Sequence, residues 1–242
     1  MSERKIEEFS GVSIIKREIF SSDLGSFSVT FNPEIIFGED FYQDSISIIK
    51  NSNTIKGMHF QSKNYAQAKL VTVLHGGIVD YFVDLRKGSP TFLDYGSVEL
   101  NDQNNNMALI PKGFAHGYFT VSENTIISYK LDAPYSPDHE LTLLWNDLSI
   151  GIKWPEMSDL HISEKDLAGL ELSEIEARES KDYSAQIAVL EEKVSALENV
   201  DTSHEHPVTH DHTKSLVNAK EIELLKVQIE EIKVSTSNPL TN

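Results

Sequence analysis

Four ionisable or hydroxyl side chains sit inside otherwise apolar, strand-like stretches of this 242-residue chain, and together they could carry proton-transfer chemistry. His59 lies in Lys56-Gly57-Met58-His59-Phe60-Gln61, and His116 in Pro111-Lys112-Gly113-Phe114-Ala115-His116-Gly117. Lys69 opens Lys69-Leu70-Val71-Thr72-Val73, where the two-residue period of a strand puts Lys69, Val71 and Val73 on one face. By the same rule Tyr129 shares a face with Ile127 and Leu131. If these strands wall one sandwich, the four groups converge inside it. A buried lysine or histidine must be paired or lose its charge, and burial of this kind tunes a base toward neutral pH. Taken singly, each residue also has a plain structural reading: a hydrogen-bonded histidine, a lysine at a strand edge, a core tyrosine.

The elements that would position these groups are short β segments at 12–19, 27–31, 69–75, 77–85, 107–110 and 125–131, rich in β-branched and aromatic residues. Turn signals at Ser21-Ser22-Asp23, Lys87-Gly88-Ser89-Pro90 and 101–106 separate them. Short strands at this spacing predict a mainly β fold, a jelly-roll sandwich, rather than alternating βαβ units. Beyond Gly169 the pattern changes: 20 of the 21 Phe, Trp and Tyr residues precede it, and no glycine follows it. Tyr183, Ile187, Leu190, Val194 and Leu197 are spaced 4-3-4-3, and Ile222, Leu225, Ile229 and Ile232 are spaced 3-4-3. These narrow apolar seams predict two short coiled-coil-like helices, 172–199 and 215–234. The expected division is a jelly-roll domain over 1–169 and a helical extension over 170–242, a hairpin or an oligomerisation element.

Net charge is −17, divided as −9 before Gly169 and −8 from there on, so neither part offers the cationic face that a nucleic-acid binder needs. An anionic small-molecule substrate stays compatible, because a pocket can be locally basic. The absence of cysteine excludes disulfides and thiolate chemistry. No run of 18 apolar residues exists and the first residues lack a signal-peptide core, so a soluble cytoplasmic protein without membrane contact is expected. His204, His206, His210 and His212 lie in a Pro207-containing linker, where a solvated segment is favoured over a metal site. Asp84 and Asp147 read as structural, with Asp84 also able to stand behind a buried base.

Several separate motifs, in order and spacing, carry a resemblance. They are Gly57-Met58-His59-Phe60-Gln61, Gln67-Ala68-Lys69-Leu70-Val71, Val83-Asp84-Leu85-Arg86 with Gly88-Ser89-Pro90-Thr91, and 110–117. Tyr129-Lys130, Trp145-Asn146-Asp147, Gly151-Ile152-Lys153-Trp154-Pro155 and Ser163-Glu164-Lys165-Asp166 complete the set. Over 12–169 the chain resembles the dTDP-4-dehydrorhamnose 3,5-epimerase family, a cupin-like jelly roll working as a homodimer on nucleotide-linked 4-keto-6-deoxy sugars. The resemblance implies that His59 is the general base with Asp166 as its partner, that Lys69 stabilises the enolate, and that Tyr129 delivers a proton to the opposite face. It also implies substrate contacts from Lys56, Gln43, Gln61, His116 and Tyr135. No cofactor and no metal are expected; His59-Phe60-Gln61 lacks the second histidine of the His-x-His metal motif.

The chemistry coheres, because the hydrogens at C3 and C5 are α to the C4 carbonyl and a fixed ammonium stabilises charge on the enolate oxygen. The nucleotide side departs from the family pattern. Leu24 stands where an arginine binds pyrophosphate, Val29 where a glutamate stands, and Ser45 where an asparagine stands. Lys56 replaces an arginine, keeping charge but losing the bidentate fork. These changes leave the nucleotide open: thymidine diphosphate, GDP or another. A ketoisomerase that moves the carbonyl between C4 and C3 is an alternative within the same class. A non-catalytic sugar-nucleotide binding or scaffolding protein, assembled through its tail, is the alternative from another class.

Overall fold

Strands form where β-branched and aromatic residues alternate between two environments, and the computed structural model shows how far that rule carries. It describes residues 6–9, 11–32, 41–62, 65–200 and 212–237. The described strands are β1 (Ile6–Phe9), β2 (Val12–Lys16), β3 (Ile19–Ser22), β4 (Gly25–Ser28), β5 (Gln43–Ile49), β6 (Thr54–Gln61) and β7 (Lys69–His75). They continue with β8 (Gly77–Asp84), β9 (Tyr95–Asn101), β10 (Asn106–Ile110), β11 (Phe114–Thr120), β12 (Thr125–Leu131), β13 (Glu140–Thr142) and β14 (His161–Ile162). One sheet has the order β1-β2-β10-β7-β12-β5 and the other β13-β6-β11-β8-β9, with β3 and β4 a separate hairpin. The pairings are antiparallel except that β14 lies parallel to β6. Two antiparallel sheets joined by sequence-distant neighbours give the jelly-roll sandwich that the turn spacing predicts.

Inward residues of both sheets meet in one core that includes Val12, Val71, Val73, Ile78, Phe82, Leu100, Ile110, Phe114 and Ile127. On the other face of the first sheet, Ile15, Leu70 and Met107 are covered by Phe31 and Phe41. β7 is therefore apolar on both faces, which is why it reads as a continuous hydrophobic run.

Two of the sequence-predicted segments differ from the structure. The 12–19 run breaks at Arg17-Glu18 into β2 and β3, and the 27–31 segment shrinks to the end of β4. The Ser21-Ser22-Asp23 signal lies in a tight hairpin between β3 and β4, where Ser22 Oγ accepts from the Leu24 amide at 3.3 Å. β5, β6, β9 and β11 escape a propensity reading, because β6 and β11 carry the glycines and polar groups of the site and gain their order from burial between neighbours.

The chain separates into two compact units, Met1–Leu172 and Ser173–Asn242. A short helix, α1 (Glu164–Leu167), closes the first; the second holds most of α2 (Leu172–Val200) and α3 (His212–Ser237). Glu198 pairs with Lys226 at 2.8 Å and Glu191 with Lys233 at 3.5 Å, so the two helices run antiparallel. Val194 and Ile229 are buried, and the other seam residues are half-buried. Burial of that seam, rather than exposed ion pairs, holds such a hairpin. α3 begins three residues before the predicted 215. His204, His206 and His210 lie outside the described residues. No helix among them is long and apolar enough to cross a membrane.

Asp84 shows how the loop after β8 is held. Its buried carboxylate accepts from Arg86 Nε at 2.9 Å, Arg86 Nη2 at 2.8 Å and Thr91 Oγ1 at 2.8 Å. Burial pushes this carboxyl up, but the hydrogen bonds from Arg86, Ser89 and Thr91 outweigh it and hold it far below the usual range. Such a group contributes stability above its unfolded pKa, which is lost as pH falls toward the folded value. Arg86→Ala strands a buried charge and is expected to cost about 3 kcal/mol at neutral pH, read as a lower urea midpoint. The loss shrinks in acid.

Candidate active site

The site lies between the sheets, in a cavity of about 250 Å³. β7 contributes Lys69 to its wall, β12 Tyr129, and β5 Ser45 and Ser47. From the other sheet, β6 brings Lys56 and His59, and β11 brings His116 and Tyr118. Tyr135 and Glu140 complete the rim. The pairing of His116 with His59 sets the two imidazoles side by side, and a register shift follows before Tyr118 meets Lys56. Glycine permits this irregularity. A Cβ on Gly57 (φ +113°) would stand 2.6 Å from Gly117 Cα, and one on Gly117 would stand 2.6 Å from Lys56 O.

Asp166 reaches His59 by a local device. β14 runs parallel to β6 and leads into Ser163, whose hydroxyl caps α1 by accepting from the Asp166 amide at 3.2 Å. The same hydroxyl donates to Asp166 Oδ2 at 2.6 Å, and His59 Nε2 meets Asp166 Oδ1 at 2.5 Å. Burial raises the Asp166 carboxyl, but hydrogen bonds from His59, Ser163 and the Gly57 amide prevail and hold it below the ordinary range. Asp166 is thus an anion at neutral pH, 1% exposed, with the imidazole as its outlet to the cavity.

A second such pair lies deeper. His116 Nε2 meets Asp80 Oδ1 at 2.6 Å, and both residues are buried. Burial pushes His116 down more strongly than Asp80 raises it. Lys69 donates to the His59 carbonyl at 3.1 Å. Burial lowers its ammonium to about 8 against the pull of Asp80 and Glu140. Tyr129 is pushed well above the usual phenol range by burial and by its neighbour Tyr118. The cavity therefore combines a carboxylate-oriented imidazole, a tunable ammonium and a phenol that keeps its proton. That set suits proton abstraction next to a carbonyl.

Residues 7–174 match the family model for dTDP-4-dehydrorhamnose 3,5-epimerase. The chain belongs to that family. An epimerase of this family from Sinorhizobium fredii is 39% identical over 168 residues, spanning 68% of this chain and 86% of its own. One from Methanothermobacter thermautotrophicus is 42% identical over 163 residues, 64% of this chain and 86% of the relative. Among solved structures, the Bacillus anthracis epimerase with TDP and PPi bound is 38% identical with a TM-score of 0.67, covering 70% of this chain and all of the other. The Legionella pneumophila enzyme in complex with dTDP-4-keto-L-rhamnose has a TM-score of 0.68 at 33% identity, covering 73% and 96%. The family match ends at residue 174, so nearly all of α2 and the whole of α3 lie outside it.

Of the nine residues singled out from the sequence, six line the cavity of this epimerase-family domain: Lys56, His59, Lys69, His116, Tyr129 and Tyr135. Asp166 stands behind His59. Gln61 does not reach the cavity. Its amide ties the chain before β7 to the chain after β12, donating to Tyr65 O at 2.6 Å and Pro134 O at 3.2 Å and accepting from the Ser136 amide at 2.6 Å. Gln43 donates to Ser45 Oγ at 3.0 Å and is likewise outside the lining. Asp84 serves Arg86 rather than a site base, and Asp147 accepts from the Leu172 and Ser149 amides at 2.7 Å.

Sequence reasoning missed Asp80, Tyr118, Ser47 and Glu140. Asp80 interrupts the apolar run of β8 just as Lys69 interrupts β7, and Tyr118 lies two residues beyond His116 on the same face. The signals that found Lys69 and His116 therefore reach both. Glu140 opens β13, a strand of three residues that is too short to show a period.

Proposed function

We propose that this chain is an isomerase that inverts C3, C5 or both in a nucleotide-linked 4-keto-6-deoxy sugar. The observation that carries the reading is the 2.5 Å His59–Asp166 contact opening onto the cavity that Lys69 and Tyr129 also line. With Nε2 engaged by Asp166, His59 presents Nδ1 as the base that takes the proton α to the C4 carbonyl. Asp166 holds the tautomer and stabilises the imidazolium that forms. Lys69 stabilises the enolate oxygen in a site shielded from water. Tyr129 returns a proton from the other face, which is what inverts the carbon. His116, held by Asp80, orients the sugar, and Tyr135, donating to Glu140 at 2.8 Å, closes the rim.

Lys56 is the cation on the wall for the diphosphate. Leu24, at the tip of the β3–β4 hairpin, is fully exposed and brings no charge to it. The nucleotide is accordingly the least constrained part of the substrate, with thymidine diphosphate favoured by the ligands of the family structures. The working form is a homodimer. β5 turns Ser45 and Ser47 into the cavity and leaves Ile46 and Ile48 on its outer face at 65% and 67% exposure, an inverted pattern that a second copy would cover. We assign the enzyme to the cytoplasm, its jelly roll to residues 1–169 and an assembly role to residues 170–242.

The test is product stereochemistry. Incubating the full chain with TDP-, GDP-, UDP- and CDP-linked 4-keto-6-deoxyhexoses should give inverted ring coupling constants by NMR for at least one of them. A shifted carbonyl would instead mean ketoisomerisation, and binding without any product would mean a scaffold. Tyr129→Phe is expected to lower the yield of inverted product by about 10²-fold or more.

A further inference from the structure

Tyr118 has no part in the mechanism above, yet it lines the same cavity and is almost fully buried at 4% exposure. A phenylalanine would fill the same apolar space, and burying a hydroxyl is unfavourable unless it is hydrogen-bonded. The Tyr118 hydroxyl lies beside Tyr129 and Ser47 on the same cavity wall, the polar groups that can partner it. The strands dictate this meeting. Tyr129 pairs with Ser45 across β12 and β5, so Ser47 lies two residues along the same face. Tyr118 approaches from the other sheet, on the face of β11 that carries His116. The His116 ring lies 6.3 Å from the rings of both tyrosines.

We propose that Tyr118, with Ser47, is a positioning residue that aims the Tyr129 hydroxyl and returns a proton to it after each delivery. The inference rests on the epimerase reading. When the enolate carbon takes the Tyr129 proton, a C–H bond forms, the phenol O–H breaks, and a half-buried phenolate remains on the cavity wall. Such a phenolate is costly at this depth. The Tyr118 O–H turns to it and gives up its proton, Tyr118 takes one through Ser47, and Ser47 takes one from a solvent water. The proton that His59 removed from the sugar leaves to solvent, so the cycle balances without any other reactant. His116 and Lys69 line the cavity beside this cluster, and the carboxylates of Asp80 and Asp166 behind the histidines make an uncompensated phenolate still less favourable.

Rapid-quench measurements on the full chain in deuterated water test this, with the TDP-, GDP-, UDP- and CDP-linked 4-keto-6-deoxyhexoses as probes. Wild type should show no burst. Tyr118→Phe should show a burst of one deuteron delivered per site, then a steady rate lower by roughly tenfold. That steady rate should rise with the concentration of a small buffer acid, which wild type does not need. A merely structural role would not create buffer dependence. Ser47→Ala should behave alike with a smaller burst, and it carries the test if Tyr118→Phe does not fold. A folded variant with neither burst nor buffer dependence overturns the relay. A wild-type chain that exchanges no hydrogen with any probe overturns the epimerase reading itself, and the relay with it.

Discussion

Replacing His59 with alanine should lower kcat/KM for epimerisation by about 10³-fold, the effect of losing a positioned base. The loss should fall on kcat more than on KM, because the imidazole is proposed to act on the hydrogen in transit and the diphosphate contact is proposed for Lys56 instead. The substitution also takes a donor from buried Asp166. The carboxylate keeps Ser163 Oγ at 2.6 Å and the Gly57 amide. Stability should therefore drop by about 1–3 kcal/mol rather than collapse. Circular dichroism at 25 °C should show a folded protein. A His59→Ala enzyme within tenfold of wild type would remove the imidazole from the chemistry.

Lys69→Met should lower kcat by about 10²–10³-fold, as expected when a preorganised charge at a developing oxyanion is lost. The pH profile separates this from a packing defect. Burial sets the Lys69 ammonium at about 8, so its charge is present below that pH and disappears above it. Wild-type kcat/KM, which reports the free enzyme, should fall as pH rises through about 8, and the methionine variant should lack that limb. Stability moves the other way. A lysine whose folded pKa lies below its unfolded one opposes folding wherever it must be charged, and the opposition fades as pH climbs past the folded value. Lys69→Met should therefore unfold at a higher temperature than wild type at pH 7, an exchange of stability for activity.

His59, Lys69, His116 and Tyr129 are legible in the sequence as candidates because each breaks an apolar strand pattern, whereas Asp166 enters only through the family resemblance. Lys69 and Tyr129 are polar marks on strands whose other inward residues, Val71, Val73 and Ile127, are core. The jelly roll followed from the turn spacing, and the helical seams from their 3-4 period. What was not legible is how distant parts meet. Gln61 has the same residue type and strand position that a substrate ligand would have, but its neighbours at Tyr65, Pro134 and Ser136 come from loops whose course no period encodes. Glu140 enters the cavity from β13, which is too short to carry a period. β6 and β11 were invisible as strands because Gly57 and Gly117, which bring them close enough to set His59 beside His116, lower their β propensity.

Proton NMR of the full chain with a TDP-linked 4-keto-6-deoxyhexose in deuterated water, with His59→Ala alongside, shows whether the imidazole removes a proton α to the carbonyl. The C3 or C5 proton signal of the sugar, or both, should disappear with wild type and persist with the variant. Equal washout by both proteins, or retention of both signals by wild type across every nucleotide tried, would contradict that role for His59.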